Sequence, residues 1–196
     1  MELLKRNLAT ALFCFFLLPV FAQPEAKLTT AFSESYYFEA QKNYQRAVEI
    51  MQKVYTDNSY EINLRLGWLY YKLENNANAA KSYKTAIEIM PYSEEAKLGL
   101  VNALGALNQW DQVVEQYKKI LSLHPQNTQV NYNLGLIYYN RANYQSAYKH
   151  FETVVNLYPF GYDGLLMFAW TNLKLGKKAE ARALFNKVLL YAPGDA

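Results

Sequence analysis

Small, apolar and aromatic side chains return along this chain at a fixed interval. Pro91, Pro125, Pro159 and Pro193 stand 34 residues apart, and a period of that length marks a chain built by stacking one supersecondary unit. In windows beginning at Tyr60, Glu94, Thr128 and Tyr162, position 8 reads Gly67, Val101, Gly135, Ala169 and position 20 reads Ala79, Val113, Ala147, Ala181. Position 24 holds Tyr83, Tyr117, Phe151 and Phe185, and position 27 holds Ala86, Ile120, Val154 and Val188. Each window offers a helical stretch, a short polar break, a second helical stretch and a proline that cannot continue the helix. The breaks fall at Leu73 to Asn78, Leu107 to Asp111, Asn140 to Tyr144 and Leu175 to Lys178. Small residues at positions 8 and 20 let two helix backbones approach, and the aromatic at position 24 fills the space beside them. Ser93 with Glu94 and Glu95 supplies an N-cap and first-turn carboxylates, which is a helix entry and not a catalytic pair.

A less faithful copy precedes these four, with Ser35, Phe38, Tyr44, Ala47, Met51 and Val54 at positions 8, 11, 17, 20, 24 and 27. Ser59 stands in its proline position, and its closing turn is two residues shorter. The strings Leu66 to Tyr71 (LGWLYY) and Leu134 to Tyr139 (LGLIYY) carry an L-G-x-x-Y core. With the 34-residue period, they resemble the tetratricopeptide repeat family. The resemblance covers about residues 28 to 195 as one domain of five repeats, 28–59, 60–93, 94–127, 128–161 and 162–195. It implies an all-α, right-handed solenoid of stacked antiparallel helix pairs.

The amino terminus follows a different pattern. Lys5 and Arg6 precede an apolar run from Leu8 to Val20, and Val20-Phe21-Ala22 offers small residues before Gln23. This is the pattern of a secretory signal over residues 1–22, removed on export and followed by a short linker at 23–27, with an uncleaved anchor as the alternative. The run is shorter than the roughly 20 apolar residues of a bilayer span. The expectation is a periplasmic or secreted protein with no membrane span after cleavage. Cys14 would leave with the signal, so the mature chain would hold no cysteine for disulfides, thiolate chemistry or metal.

The remaining charge is small. The whole chain carries +3; without Glu2, Lys5 and Arg6 the balance is 18 basic against 16 acidic residues, which gives no reason to expect a nucleic acid partner. His124 lies in a turn and His150 on a second helix, and both read as surface residues without a metal or catalytic role. No phosphate loop, nucleophile elbow or H-E-x-x-H helix occurs. The repeats use nearly the whole chain, so the expected class is non-enzymatic, with no cofactor and no metal.

In the tetratricopeptide family the first helix of each repeat lines a concave groove, and the resemblance places particular residues there. Position 5 carries Phe32, Leu64, Leu98, Tyr132 and Leu166; position 9 carries Tyr36, Trp68, Asn102, Leu136 and Trp170; position 12 carries Glu39, Tyr71, Gly105, Tyr139 and Leu173. Gly105 with Ala106 would leave a gap between the walls made by Tyr71 and Tyr139. Asn102 and Asn133 match two asparagines of the family's carboxylate clamp, but its basic positions hold Leu98, Asp163 and Met167. Capture of a partner's C-terminal carboxylate is therefore not expected, while the amides suit a peptide backbone. The expected partner is a protein segment held in this groove, with Trp68, Tyr71, Tyr139 and Trp170 as anchors. A glycan stacked on the same aromatics and a structural subunit working through its ends remain alternatives. Tyr70, Tyr138, Trp110, Tyr144 and the position 24 aromatics read as packing residues. Leu189, Leu190 and Tyr191, near the chain's end at Ala196, are the expected association surface, with a homodimer as one outcome.

Overall fold

A computed structural model describes residues 22–192 and residue 194. Residues 1–21, which include nearly all of the expected signal, lie outside the described residues, as do Pro193, Asp195 and Ala196. Among the described residues there are ten α-helices and no strand. They are α1 (Ala22–Ala40), α2 (Tyr44–Lys53), α3 (Tyr60–Lys72), α4 (Asn76–Ile89), α5 (Glu94–Ala106), α6 (Trp110–Leu123), α7 (Thr128–Asn140), α8 (Tyr144–Leu157), α9 (Tyr162–Lys174) and α10 (Lys178–Tyr191). The first residue of each of the four regular windows is the first residue of a helix. Residues 23–27 lie inside α1, so the segment expected to be a linker continues the first helix.

The breaks within repeats share one geometry. Lys42, Glu74, Asn108, Ala142 and Gly176 all take positive φ, at 59°, 58°, 58°, 55° and 77°. Each ends a first helix in a left-handed turn. The amide two residues before the start of the next helix bonds three residues back, as from Glu74 to the Tyr71 carbonyl, and the following amide bonds five back, as from Asn75 to Tyr70. These paired bonds satisfy carbonyls that a helix end otherwise leaves open. Only the fifth repeat uses glycine for the turn, so composition does not reveal it. Helix entries are capped by side chains: Asn43, Ser59, Asn75, Ser93, Asn127 and Asn143 each accept from the amide three residues on.

The helices group into two compact units, the first ending at Pro91 and the second starting at Tyr92. The single domain expected over 28–195 is thus divided in its packing, as an array permits when each repeat touches only its neighbours. In the first unit α1 packs on α2, α2 on α3 and α3 on α4. Ala47, Val48, Met51, Ile62, Leu66 and Leu69 form its core. Ser35, Ala47 and Met51 are fully buried, which gives the irregular first copy the same packing sites as the others. In the second unit the successive helices α5 to α10 each pack on the next, and α7 also touches α9.

The small-against-aromatic expectation holds at atomic scale. A Cβ added to Gly67 would come within 2.8 Å of the Tyr83 ring, and one on Gly135 within 2.6 Å of Phe151. Tyr83, Tyr117 and Phe151 are buried, whereas Phe185 is only half-buried. Trp110 departs from the packing role expected of it: it is the first residue of α6 and is 46% exposed.

Candidate functional site

Position 4 of the window carries a polar group that sequence periodicity passes over. Asn63, Lys97 and Asn131 are all buried there. The Asn63 amide donates to the carbonyls of Asp57 and Ser59, at 3.3 and 2.8 Å. The Asn131 amide donates to Pro125 and Asn127, both at 2.9 Å, and the Lys97 ammonium to Ser93 at 3.3 Å. These groups tie three of the four inter-repeat turns to the helix that follows, since buried carbonyls require partners; the fourth has Leu165 at this position. Burial pushes the Lys97 ammonium below its usual value, helped by Lys119 and opposed by Glu94.

His150 also differs from the surface residue expected. It is half-buried, stacks on Tyr138 with ring centroids 5.6 Å apart, and shares a 2.9 Å hydrogen bond with the Asn131 carbonyl oxygen. Burial lowers its pKa from the ordinary value near 6.5, and Lys118 and Lys149 add to the effect. The folded chain therefore keeps the neutral ring while the unfolded chain takes a proton near pH 6.5. The resulting stability is present above 6.5 and is lost as the pH falls toward the lowered value. Urea midpoints are expected to be lower near about pH 5.5 than about pH 7.5, with His150→Gln showing a flatter slope. An unchanged slope would remove His150 from the account.

In the first unit, the residues assigned to the binding face come from α1 and α3. Tyr36 and Trp68 are 56% and 38% exposed, and Phe32, Leu64 and Tyr71 are half-buried. Trp68 and Tyr71 lie 6.3 Å apart as a tilted pair, and Lys72 reaches over the Trp68 ring at 5.3 Å. Beneath them is a network that the sequence did not reveal. Arg65, only 6% exposed, pairs with the Glu39 carboxylate, and its Nε donates to the Ser35 hydroxyl at 2.7 Å. Its guanidinium carbon lies 3.9 Å from the centre of the Tyr36 ring. The other Glu39 oxygen accepts the Trp68 indole N–H. One carboxylate thus fixes both the arginine under Tyr36 and the tryptophan beside it, which restricts two aromatic anchors before any ligand arrives.

In the second unit, Leu98, Gly105, Tyr132, Asn133, Leu136, Tyr139 and Leu166 are half-buried, and Asn102 and Trp170 are exposed. Trp170 packs edge-on against Phe185 at 5.0 Å, and Tyr139 against Tyr144 at 5.4 Å. A Cβ on Gly105 would meet nothing within 4 Å, so this position opens onto free space. Asn133 is not free in the way a backbone clamp requires. Its amide donates to the Tyr117 hydroxyl at 3.0 Å and its carbonyl accepts from Gln129 at 3.2 Å. The Tyr117 phenol is pushed up by burial, with that amide acting in the opposite sense. Of the two expected orienting amides, Asn102 alone is exposed.

Models of the tetratricopeptide repeat match residues 60–92, 98–162 and 163–195. The chain belongs to the tetratricopeptide repeat family. The copy at 28–59 precedes these matches; it contains a helix pair, α1 and α2, with Ser35, Ala47 and Met51 buried at positions 8, 20 and 24.

Among curated proteins, this tetratricopeptide repeat chain is 30% identical over 87 residues to the peroxisomal targeting signal receptor of Kluyveromyces lactis, covering 44% of this chain and 15% of the receptor. It is 24% identical over 126 residues to the intraflagellar transport protein 88 homolog of Homo sapiens, covering 62% of this chain and 15% of that protein. The chain therefore spans about 15% of the length of these relatives. Among solved structures, a crystal structure of MamA aligns with a TM-score of 0.73 at 20% identity, covering 83% of this chain and 90% of the other. MamA from residue 41 onward, from Desulfovibrio magneticus RS-1, aligns with a TM-score of 0.72 at 15% identity, covering 86% and 96%. At these identities the likeness is one of fold, a solenoid of tetratricopeptide helix pairs. A protein-interaction scaffold is the function class this family supports.

No described helix is long and apolar enough to cross a membrane. Among the described residues no group of three or more His, Cys, Asp or Glu is arranged to hold a metal.

Proposed function

We propose that this chain is a non-enzymatic adaptor that captures an extended segment or a helix of a partner protein on the aromatic faces of its first helices. The observation that carries the reading is the contrast between window positions across the helix pairs. Residues at positions 5, 9 and 12 are exposed or half-buried in every repeat, while positions 8, 20 and 24 of repeats one to four are buried in all cases. Large aromatic side chains held at a solvent-facing site by other side chains are the usual anchors of binding hot spots. Trp68, Tyr71, Tyr139 and Trp170 are the proposed anchors, with Asn102 as an orienting amide. Leu98, Asp163 and Met167 still argue against carboxylate capture.

We further place the protein outside the cytoplasm, on the signal-like residues 1–22. N-terminal sequencing of the protein recovered from its source tests this, with Gln23 as the expected first residue and Met1 as the result that overturns it.

The binding test is a pull-down from an envelope extract, with the wild-type chain beside a folded Trp68→Ala, Tyr139→Ala variant. Loss of two central anchors should weaken retention of a specific partner by tenfold or more, since each hot-spot truncation costs about 2 kcal/mol or more. Equal retention by both would place binding elsewhere on the molecule.

One observation favours a second reading, association through the last repeat. Phe160 and Tyr191 form a tilted pair at 5.6 Å, both exposed, and Leu190 is 80% exposed. Leu189, which is half-buried, contributes less to that surface than expected. Contiguous exposed apolar groups of this kind mark contact sites. Sedimentation at high micromolar concentration should show a dimer that Leu190→Glu abolishes; a monomer throughout would remove this reading.

A further inference from the structure

A cavity lies away from the binding face. It has a volume of about 190 Å³ and is bounded by α2, α3 and α4, wholly within the first unit. From α3 it takes Asn63, Leu66 and Tyr70, at positions 4, 7 and 11 of the window. These are spaced three and four apart on one helical stripe, roughly opposite the stripe of Leu64, Trp68 and Tyr71. A ligand here would not touch the proposed partner anchors.

The lining is hydroxyls and amides, with one cation. Gln52 Nε2 donates to the Tyr70 hydroxyl at 2.8 Å, which orients that oxygen and leaves its own proton to be given elsewhere. The Tyr55 hydroxyl lies 3.4 Å from the Asn63 side-chain carbonyl oxygen and is also hydrogen-bonded to Asp57, so its proton is used within the protein and only its oxygen can accept. The Asn78 side chain and the Lys81 ammonium close the cavity from α4. Ser82, only 9% exposed, also lines it. Leu66 and the tyrosine rings give an apolar wall.

We propose that this cavity binds a single polyhydroxylated ring, a monosaccharide unit, and prefers one bearing a carboxylate. The size supports one ring and not a longer chain, because the volume falls below the roughly 300–1,000 Å³ of sites for larger ligands. Mixed donors and acceptors around an apolar wall suit alternating hydroxyls and a carbon face. Lys81 is the only charged residue in the lining, and a carboxylate would pair with it. Free sugar acids and the ends of acidic polysaccharides share this chemistry.

The experiment is an NMR titration of the full chain with glucose, with glucuronic acid and with a short oligoglucuronide. The expected result is saturable shifts in the amides of Asn63, Tyr70 and Ser82 at millimolar ligand, with glucuronic acid binding several-fold more tightly than glucose. Tyr70→Phe should weaken both sugars about tenfold, Ser82→Ala should weaken both, and Lys81→Met should abolish only the preference for the acid. Saturation by the monosaccharide assigns a free sugar acid; saturation by the oligomer alone assigns a polysaccharide end. Absence of saturable shifts with all three probes overturns the proposal. So do shifts centred on Trp68 and Tyr71, or binding unaffected by both Tyr70→Phe and Ser82→Ala. The Trp68→Ala, Tyr139→Ala variant should bind the sugars normally, which keeps the outcome separate from that of the partner pull-down.

Discussion

Phe151→Ala should lower the unfolding free energy by about 3–5 kcal/mol, the range for truncating a fully buried aromatic. The ring is completely enclosed. It lies across Gly135 so closely that a single added methyl would overlap it, and it meets Tyr132 edge-on at 5.9 Å. The ring fills the space between α7 and α8 beside Gly135, so removing it leaves a cavity. Urea unfolding followed by helical circular dichroism measures the loss. A loss under about 1 kcal/mol would mean that α7 and α8 close onto each other, and that the glycine, not the ring, sets their spacing. Phe185→Ala provides the comparison. It removes the same residue type at the same window position, but from a half-buried site, and should cost clearly less.

Glu39→Ala should be nearly as damaging, at about 3 kcal/mol, the low end for breaking a buried ion pair. Arg65 is the buried partner, and one of its terminal nitrogens already has no hydrogen bond. Without Glu39 its charge would be left with the Ser35 hydroxyl and the Tyr36 ring, neither of which is an anion. The carboxylate itself keeps 23% of its side chain in contact with solvent, which places the estimate at the lower end. The same substitution frees the Trp68 indole, so the tryptophan should become more mobile in fluorescence anisotropy as stability falls. Adding Arg65→Met should restore most of the stability, because it removes the unpaired charge and keeps the apolar stem. If the double variant is no better than Glu39→Ala alone, the cost lies in lost packing of Glu39 and not in electrostatics.

Arg65 and Glu39 lie 26 residues apart in different repeats; Glu39 stands at position 12 of the register, but Arg65, at position 6, stands at none of the aligned positions. Pattern therefore offered no reason to join them, although Glu39 was placed on the binding face. Asn133 shows the converse. Its window position suggested a free amide, but Tyr117, sixteen residues earlier and on another helix, occupies it. His150 was read as a surface residue because a lone histidine on an amphipathic helix usually is one. Its burial depends on Tyr138 and Asn131, both supplied by α7.

The sequence by itself determined the repeat, its register and the helix pairs, because periodic small and aromatic residues admit one way of stacking. Position 8 glycines opposite position 24 rings, and the N-cap at Ser93, followed from local chemistry alone. The tertiary structure decided which of the similar positions are buried, since Phe151 and Phe185 differ only in what lies beside them. It also decided the left-handed turns at Lys42, Glu74 and Ala142, where residues that usually avoid positive φ are held there by the two helices they join. The polar cavity beside Ser82 and the pinning of Trp68 by Glu39 belong to the structure for the same reason. Each arises where helices from successive repeats meet, and contacts of that kind leave no period in the chain.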